Sequence, residues 1–358
     1  MALEGLHHIT AITADAPGNV DFYARLLGLR LVKKTVNFDE PTVYHLYYGD
    51  EIGAPGSILT FFEFPGAAPG RAGDGMIHAI RWRVGSAAAI EFWERRLAAE
   101  GVGAERDGDV LLFRDPEGLA HELLVAHGDD PPLAAHAVGI SDEHALQGFH
   151  GIRAYAARPD RSSDLLAALG FASQDEAGEH WRLDGDGRHA LLCYDRPPPD
   201  RGIQGAGTVH HVAWSAADDA ELREYGTKAA DAGAHTTPVI DRQYFHSVYF
   251  REPSGVLFEL ASRDIGFTVD EPALGIEDVE ERQQVVLVGA APVQQHERAP
   301  RLPVRFADPV DEGLRQRRAH AETRGFTSGV RRGSISARRC SYCGGSLSAS
   351  PSVCAGSS

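Results

Sequence analysis

No run of about 18 apolar residues occurs anywhere in the 358-residue chain, so nothing in it reads as a membrane span. The N-terminus lacks the basic and apolar regions of an export signal and enters a strand pattern at Leu6 to Ile12, which makes a reducing cytoplasm the expected compartment. Positive charge is also short: 35 Lys and Arg face 51 Asp and Glu, a net charge of -16. That balance excludes a nucleic-acid partner, because phosphate backbones recruit cations, and it disfavours an anionic membrane surface. Cysteine is scarce, with four in all. Cys193 stands alone in an apolar strand and reads as a buried, inert thiol. What remains is 43% hydrophobic and 24% charged, the composition of a globular protein with a substantial core. The length suggests two domains.

Internal repetition organises the sequence. Four segments share one layout: a strand, a helix with apolar residues at helical spacing, a glycine, then two or three strands. They open at Leu6-His7-His8-Ile9, Met76-Ile77-His78-Ala79, Phe149-His150-Gly151-Ile152 and Val209-His210-His211-Val212. The spacing predicts helices near residues 19–27, 88–99, 162–169 and 219–232, each ended by a glycine (Gly28, Gly101, Gly170, Gly233). Phe113-Arg114-Asp115-Pro116-Glu117-Gly118 reappears as Phe250-Arg251-Glu252-Pro253-Ser254-Gly255, and each is followed by a strand glutamate, Glu122 and Glu259. The expected class is therefore α+β: four βαβββ modules paired into two domains, each a curved mixed sheet with flanking helices. The expected bounds are 1–130 and 146–290, with residues 131–145 as linker.

Alternate residues of a strand face opposite sides, so one histidine of each pair faces inward. The first position carries a histidine in all four openings (His7, His78, His150, His210), as a scaffold residue would. The second carries one only in modules one and four, which assigns His8 and His211 to a site. Glu259, flanked by Leu257, Phe258 and Leu260, is costly to bury without a cation or donors. Glu122 sits in a module with Ala79 in place of a second histidine and reads as a non-ligand. Two imidazoles and one carboxylate hold Fe(II) facially with open positions; Mn(II) and Zn(II) fit the same set. No cysteine lies among them, against a closed structural zinc.

These modules, the His8/His211/Glu259 set and Phe22-Tyr23-Ala24-Arg25-Leu26-Leu27-Gly28 resemble the vicinal oxygen chelate superfamily, and within it the hydroquinone-type ring-cleaving dioxygenases. Tyr44-His45-Leu46-Tyr47-Tyr48, Gln147 to His150, Tyr244 to Glu259 and Gly266-Phe267-Thr268-Val269-Asp270-Glu271 extend the likeness over about residues 5–290. The resemblance implies Fe(II) as the metal, a small aromatic diol and O₂ as substrates, Arg242 and Tyr249 beside the substrate, and His210 in proton transfer. Two alternatives stay open: a glyoxalase-type metal-dependent isomerase or lyase, and a non-catalytic resistance protein that binds aromatic compounds. A homo-oligomer is left open as well.

Beyond about residue 300 the composition shifts. Residues 301–358 hold ten Arg against four acidic residues, and Ser, Gly and Arg dominate after Phe326. This tail reads as disordered. Its Cys340-Ser341-Tyr342-Cys343 resembles half of a zinc knuckle, with no second half beyond it.

Overall fold

The computed structural model describes residues 3–270 apart from Asp39 and Pro41, together with Val310. The expected tail, its cysteine pair and the end of the 146–290 region lie outside the described residues. Among the described residues no helix is long and apolar enough to cross a membrane.

Each module has the predicted βαβββ order. Module one comprises β1 (Leu6–Thr13), α1 (Ala16–Val20), β2 (Arg30–Val36), β3 (Tyr44–Gly49) and β4 (Ile58–Glu63). Module two has β5 (Ile77–Val84), α2 (Ala87–Ala99), β6 (Ala104–Asp107), β7 (Val110–Arg114) and β8 (Ala120–Val125). Module three has β9 (Phe149–Tyr155), α3 (Ser163–Ala168), β10 (Phe171–Ser173), β11 (His180–Asp184) and β12 (His189–Asp195). Module four has β13 (Val209–Ala216), α4 (Asp219–Asp231), β14 (Ile240–Asp241), β15 (His246–Arg251) and β16 (Leu257–Ser262).

Local chemistry sets the helix ends. Ser86 caps α2 by accepting from the Ala89 amide, and Asp218 caps α4 by accepting from Ala220 and Glu221. The first helix starts before the predicted residue 19, because Asp15 caps it and a proline occupies its first turn. It then widens into a π-helical turn, Asp21–Leu26. Gly28 follows at φ 71°, the left-handed position expected after a helix.

The strands form two eight-stranded mixed sheets. One runs β14-β15-β16-β13-β1-β4-β3-β2, the other β10-β11-β12-β9-β5-β8-β7-β6. Module one thus shares a sheet with module four, and module two with module three. This corrects the expectation that neighbours in sequence pair within 1–130 and within 146–290. Each module offers its opening strand as an unpaired edge, and nothing in a repeated hydrophobic pattern says which other edge will take it. In the structure β1 pairs antiparallel with β13, and β5 with β9. The stretch expected as a linker, 131–145, carries no helix or strand apart from an Ala137–Ile140 bridge, and Arg188 ties it down through the Pro131 carbonyl.

Alternation along the central strands divides their side chains. Ile9, Val212, Trp214, Phe258 and Leu260 of the first sheet join Ile80, Trp82, Ile152 and the helix residues Tyr23, Trp93 and Leu222 in one continuous core. The other face of the first sheet carries His8, Thr10, His211, Ala213 and Glu259. Registers Thr10↔His211 and Ala213↔Glu259 put them in neighbouring rows.

Candidate metal centre

That pairing brings His8 and His211, 203 residues apart, to the same place. Their Nε2 atoms lie 3.2 Å apart, and Glu259 Oε2 is 2.9 Å from His211 Nε2 and 3.2 Å from His8 Nε2. All three side chains are buried, Glu259 completely. Among the described residues they are the group of histidine and carboxylate side chains whose ligand atoms could converge on one ion.

The proton bookkeeping around this triangle argues for a cation. His7 Nε2 faces the Ser262 carbonyl at 3.2 Å, and a carbonyl only accepts, so this nitrogen carries the proton. Burial, then the neighbouring His8, pulls His7 down to about 3, and the ring stays neutral with Nδ1 as an acceptor. His8 Nδ1, 2.9 Å from His7 Nδ1, must therefore donate, which leaves the lone pair of a neutral His8 on Nε2. The fourth module repeats the contact: His211 Nδ1 lies 2.8 Å from His210 Nδ1. Glu259 Oε1 accepts from Ser247 Oγ at 2.5 Å, while buried Oε2 has no hydrogen bond of acceptable geometry despite the nearby imidazoles. With both rings neutral and His211 in the same tautomer as His8, three electron-rich atoms face a common point rather than one another.

Bonds of ~2.1–2.2 Å at right angles would set such atoms roughly 3.0–3.1 Å apart, close to the edges seen. Burial opposes ionisation of Glu259, and its carboxyl is held well below the usual range only where the His8 and His211 rings present positive charge or an N–H to it, the part a bound cation would take if both rings offer lone pairs. Burial depresses His211, against the pull of Glu259. The donor set fits a divalent metal of the Fe(II), Mn(II) or Zn(II) type.

A pocket opens beside the triad, with about 470 Å³ of empty space including its mouth. His210, Arg242 and Tyr249 all line it, with Thr10, His45, Tyr47, Phe62 and Phe245 completing much of its wall. His210 is half-buried and edge-on to Phe62 at 5.6 Å. The Tyr249 hydroxyl accepts from Arg242 Nε at 3.3 Å, and its ring stands perpendicular to His211. Burial, followed by the charge of Glu259, raises the Tyr249 phenol far above its ordinary value.

A strained turn presents Arg242 and Phe245. Arg242 N donates to Phe245 O, and Gln243 between them sits at φ 66°, the left-handed region that costs a non-glycine residue of order 1 kcal/mol or more. The Gly266–Asp270 segment clamps the turn. Phe267 packs on Tyr244 and Tyr47, while Asp270 accepts from Tyr244 Oη, Gln243 Nε2 and Lys33 Nζ.

Sequence reasoning did not single out Ser247, His45, Thr10 or Thr60. The period of two could have found Thr10 and Ser247, which lie two residues from His8 and from Tyr249 on the same faces. His45 and Thr60 required knowing that β4 lies beside β1 and β3 beside β4.

Comparison with known proteins identifies the family. The model of the Glyoxalase/Bleomycin resistance protein/Dioxygenase superfamily matches residues 5–123 and 148–260. The chain is 41% identical over 275 residues to MhqO of Bacillus subtilis strain 168, named as a candidate ring-cleaving dioxygenase, covering 75% of this chain and 87% of that one. It is 34% identical over 287 residues to a chlorohydroquinone/hydroquinone 1,2-dioxygenase of Sphingobium indicum, covering 75% and 88%. A crystal structure of a candidate dioxygenase from Bacillus subtilis superposes with a TM-score of 0.70 at 36% identity, over 83% of this chain and 99% of that one. The chain belongs to the glyoxalase/bleomycin resistance protein/dioxygenase superfamily, on the branch whose relatives are named as ring-cleaving dioxygenases.

Proposed function

We infer that the protein is an Fe(II)-dependent ring-cleaving dioxygenase that opens a hydroquinone- or catechol-type diol with O₂. The observation that carries this reading is the buried triangle of His8, His211 and Glu259 at the floor of an aromatic-walled pocket. The relatives' names support the reaction class. Mn(II) would satisfy the same donors. A reducing cytoplasm, the expected compartment, would keep the iron ferrous.

Held by His8, His211 and Glu259, the metal would supply Lewis acidity to a diol hydroxyl and open positions for O₂. The chain's own residues do the rest. Phe62 and Phe245 exclude water and flank an aromatic ring. Arg242 and Tyr249 lie on the Glu259 side, since Tyr249 is register partner of Glu259, and they donate to oxygen atoms that gain negative charge. His210, half-buried at the pocket wall, exchanges a proton with the substrate.

The test is anaerobic reconstitution with Fe(II), then oxygen uptake with panels of hydroquinones and catechols. Stoichiometric uptake with loss of the aromatic absorbance is expected. Metal-dependent turnover of a substrate without oxygen uptake would replace this reading with a glyoxalase-type isomerase or lyase. Tight diol binding with no metal retained would replace it with a resistance protein.

A further inference from the structure

We propose that Tyr47, His45, Thr60 and Thr10 form a directed proton relay that leaves the pocket at one wall and returns to it beside the metal triad. The proposal rests on the dioxygenase reading for its chemistry and on hydrogen-bond geometry for its direction. Tyr47 Oη lies 2.7 Å from His45 Nδ1, His45 Nε2 lies 2.8 Å from Thr60 Oγ1, and Thr60 Oγ1 donates to Thr10 Oγ1 at 2.9 Å. None of the four is more than 8% exposed, so no bulk water competes along the chain.

The direction follows from donor counting. A threonine hydroxyl has one proton, and Thr60 gives its own to Thr10. Thr60 can only accept from His45, so His45 Nε2 carries the ring proton. His45 Nδ1 is then an acceptor, and Tyr47 donates to it. Thr10, already accepting, is left with its proton to give into the pocket. Strand order explains why the chain closes: β3, β4 and β1 are consecutive, and the registers Tyr47↔Thr60 and Thr10↔Thr60 set the hydroxyls in one row. Thr10 is itself the register partner of His211.

Both ends reach substrate space, because Tyr47 and Thr10 line the pocket while Thr60 does not. In one pass Thr10 gives its proton to an oxygen beside it, Thr60 reprotonates Thr10, His45 reprotonates Thr60, and Tyr47 reprotonates His45 at Nδ1. A hydroxyl beside Tyr47 then reprotonates Tyr47. The net event moves one proton from one oxygen of the bound diol to another and leaves no residue charged, so no oxidant or reductant is needed; it leaves His45 as the Nδ1–H tautomer and the hydroxyls reversed, and the next proton, passing from Thr10 towards Tyr47, restores the starting arrangement. A buried imidazole held well below its ordinary value by desolvation, then by His8, suits this role, because the ring is passed through as a neutral group. Thr10, His45 and Tyr47 face the pocket, and Thr60 acts only through them.

Thr60→Val is the test, being close in shape and remote from the pocket wall, with Thr60→Ser as the control that restores the hydroxyl. In the metal-free protein, ¹⁵N shifts of the His45 ring should show a single Nε2–H tautomer in wild type and T60S and a mixed one in T60V. In the Fe(II) enzyme, T60V should lower kcat by roughly 10- to 100-fold at nearly constant KM, T60S should recover it, and a multi-proton solvent-isotope inventory should become a single-proton one. An Nδ1–H tautomer in wild type, or a folded T60V with wild-type kcat and inventory, overturns the relay. If reconstituted wild type takes up no oxygen with any diol, the dioxygenase reading fails, and the tautomer measurement still decides whether the relay exists.

Discussion

The two sheets of this molecule are built alike and hold opposite contents. Where the first sheet converges three electron-rich atoms, the second has filled the matching place with cations of its own. Glu122 stands where Glu259 does, but Arg81 Nε donates to it at 2.9 Å and Arg153 Nε lies 3.6 Å away. Arg153 also forms a two-pronged pair with Asp195, which His78 joins at 2.8 Å. The positions of His211 and His8 are taken by Ala79 and Gly151 respectively. Gly151 admits no side chain, since a Cβ there would lie 2.2 Å from the Leu191 carbonyl oxygen. A buried carboxylate needs a positive partner; on the proposed function one sheet leaves that role to an exchangeable ion, while the other gives it to guanidinium groups that cannot leave.

The largest effects should come from exchanging the two glutamates. Glu259→Gln should abolish metal retention and cut turnover by about 10³-fold or more, whereas Glu122→Gln should keep both and lose about 1–3 kcal/mol of stability, because it takes the acidic partner from Arg81. Metal analysis and chemical denaturation separate the outcomes; retained stoichiometric metal in E259Q would end the contrast. Ala79→His should not create a second centre, since Gly151 cannot supply the facing ligand, and metal content should stay at one ion per chain.

Acid stability offers a third contrast, carried by the buried His121 beneath the second sheet. Trp82 Nε1 donates to its Nδ1 and its Nε2 contacts Tyr23 Oη, which donates to Asp115. Burial, then Arg114, lowers His121 from 6.5 to about 3. Between those values the unfolded chain holds a proton the folded chain does not, so stability falls as pH drops below about 6.5, by ~1.4 kcal/mol per unit at steepest. His121→Gln should flatten that slope in denaturation curves measured from pH 7 to 4. The smallest expected change is Arg242→Lys, which keeps the charge but loses the planar contact with Tyr249; a drop of about tenfold in kcat/KM is expected. Arg81→Lys in the other sheet should leave kinetics untouched.

Much of this was legible in the residues themselves. The four modules, their helices and the His8, His211 and Glu259 set follow from period-two and helical spacing, because those patterns are local. The short strands β6, β10 and β14 were not itemised, having too few residues to show a period. Module pairing was illegible for a different reason: equivalent edges carry equivalent patterns, so the choice is made by tertiary fit. Ser247, His45 and Thr60 were missed in consequence, since each matters only through a neighbour on another strand. Arg242 and Tyr249 came from resemblance, and geometry gives them a shared pocket with His210.

The pairing of the outermost modules has a consequence for biosynthesis. Modules two and three can join as soon as β12 leaves the ribosome, but β1 must wait for β13, and a bound ion would wait for Glu259 on β16. For most of its synthesis the nascent chain therefore carries an orphaned first module, and closing so distant a contact is slow. On the proposed function, an ion can be captured by the triad only after residues 6–259 have emerged, so metal loading would report that all four modules have been made.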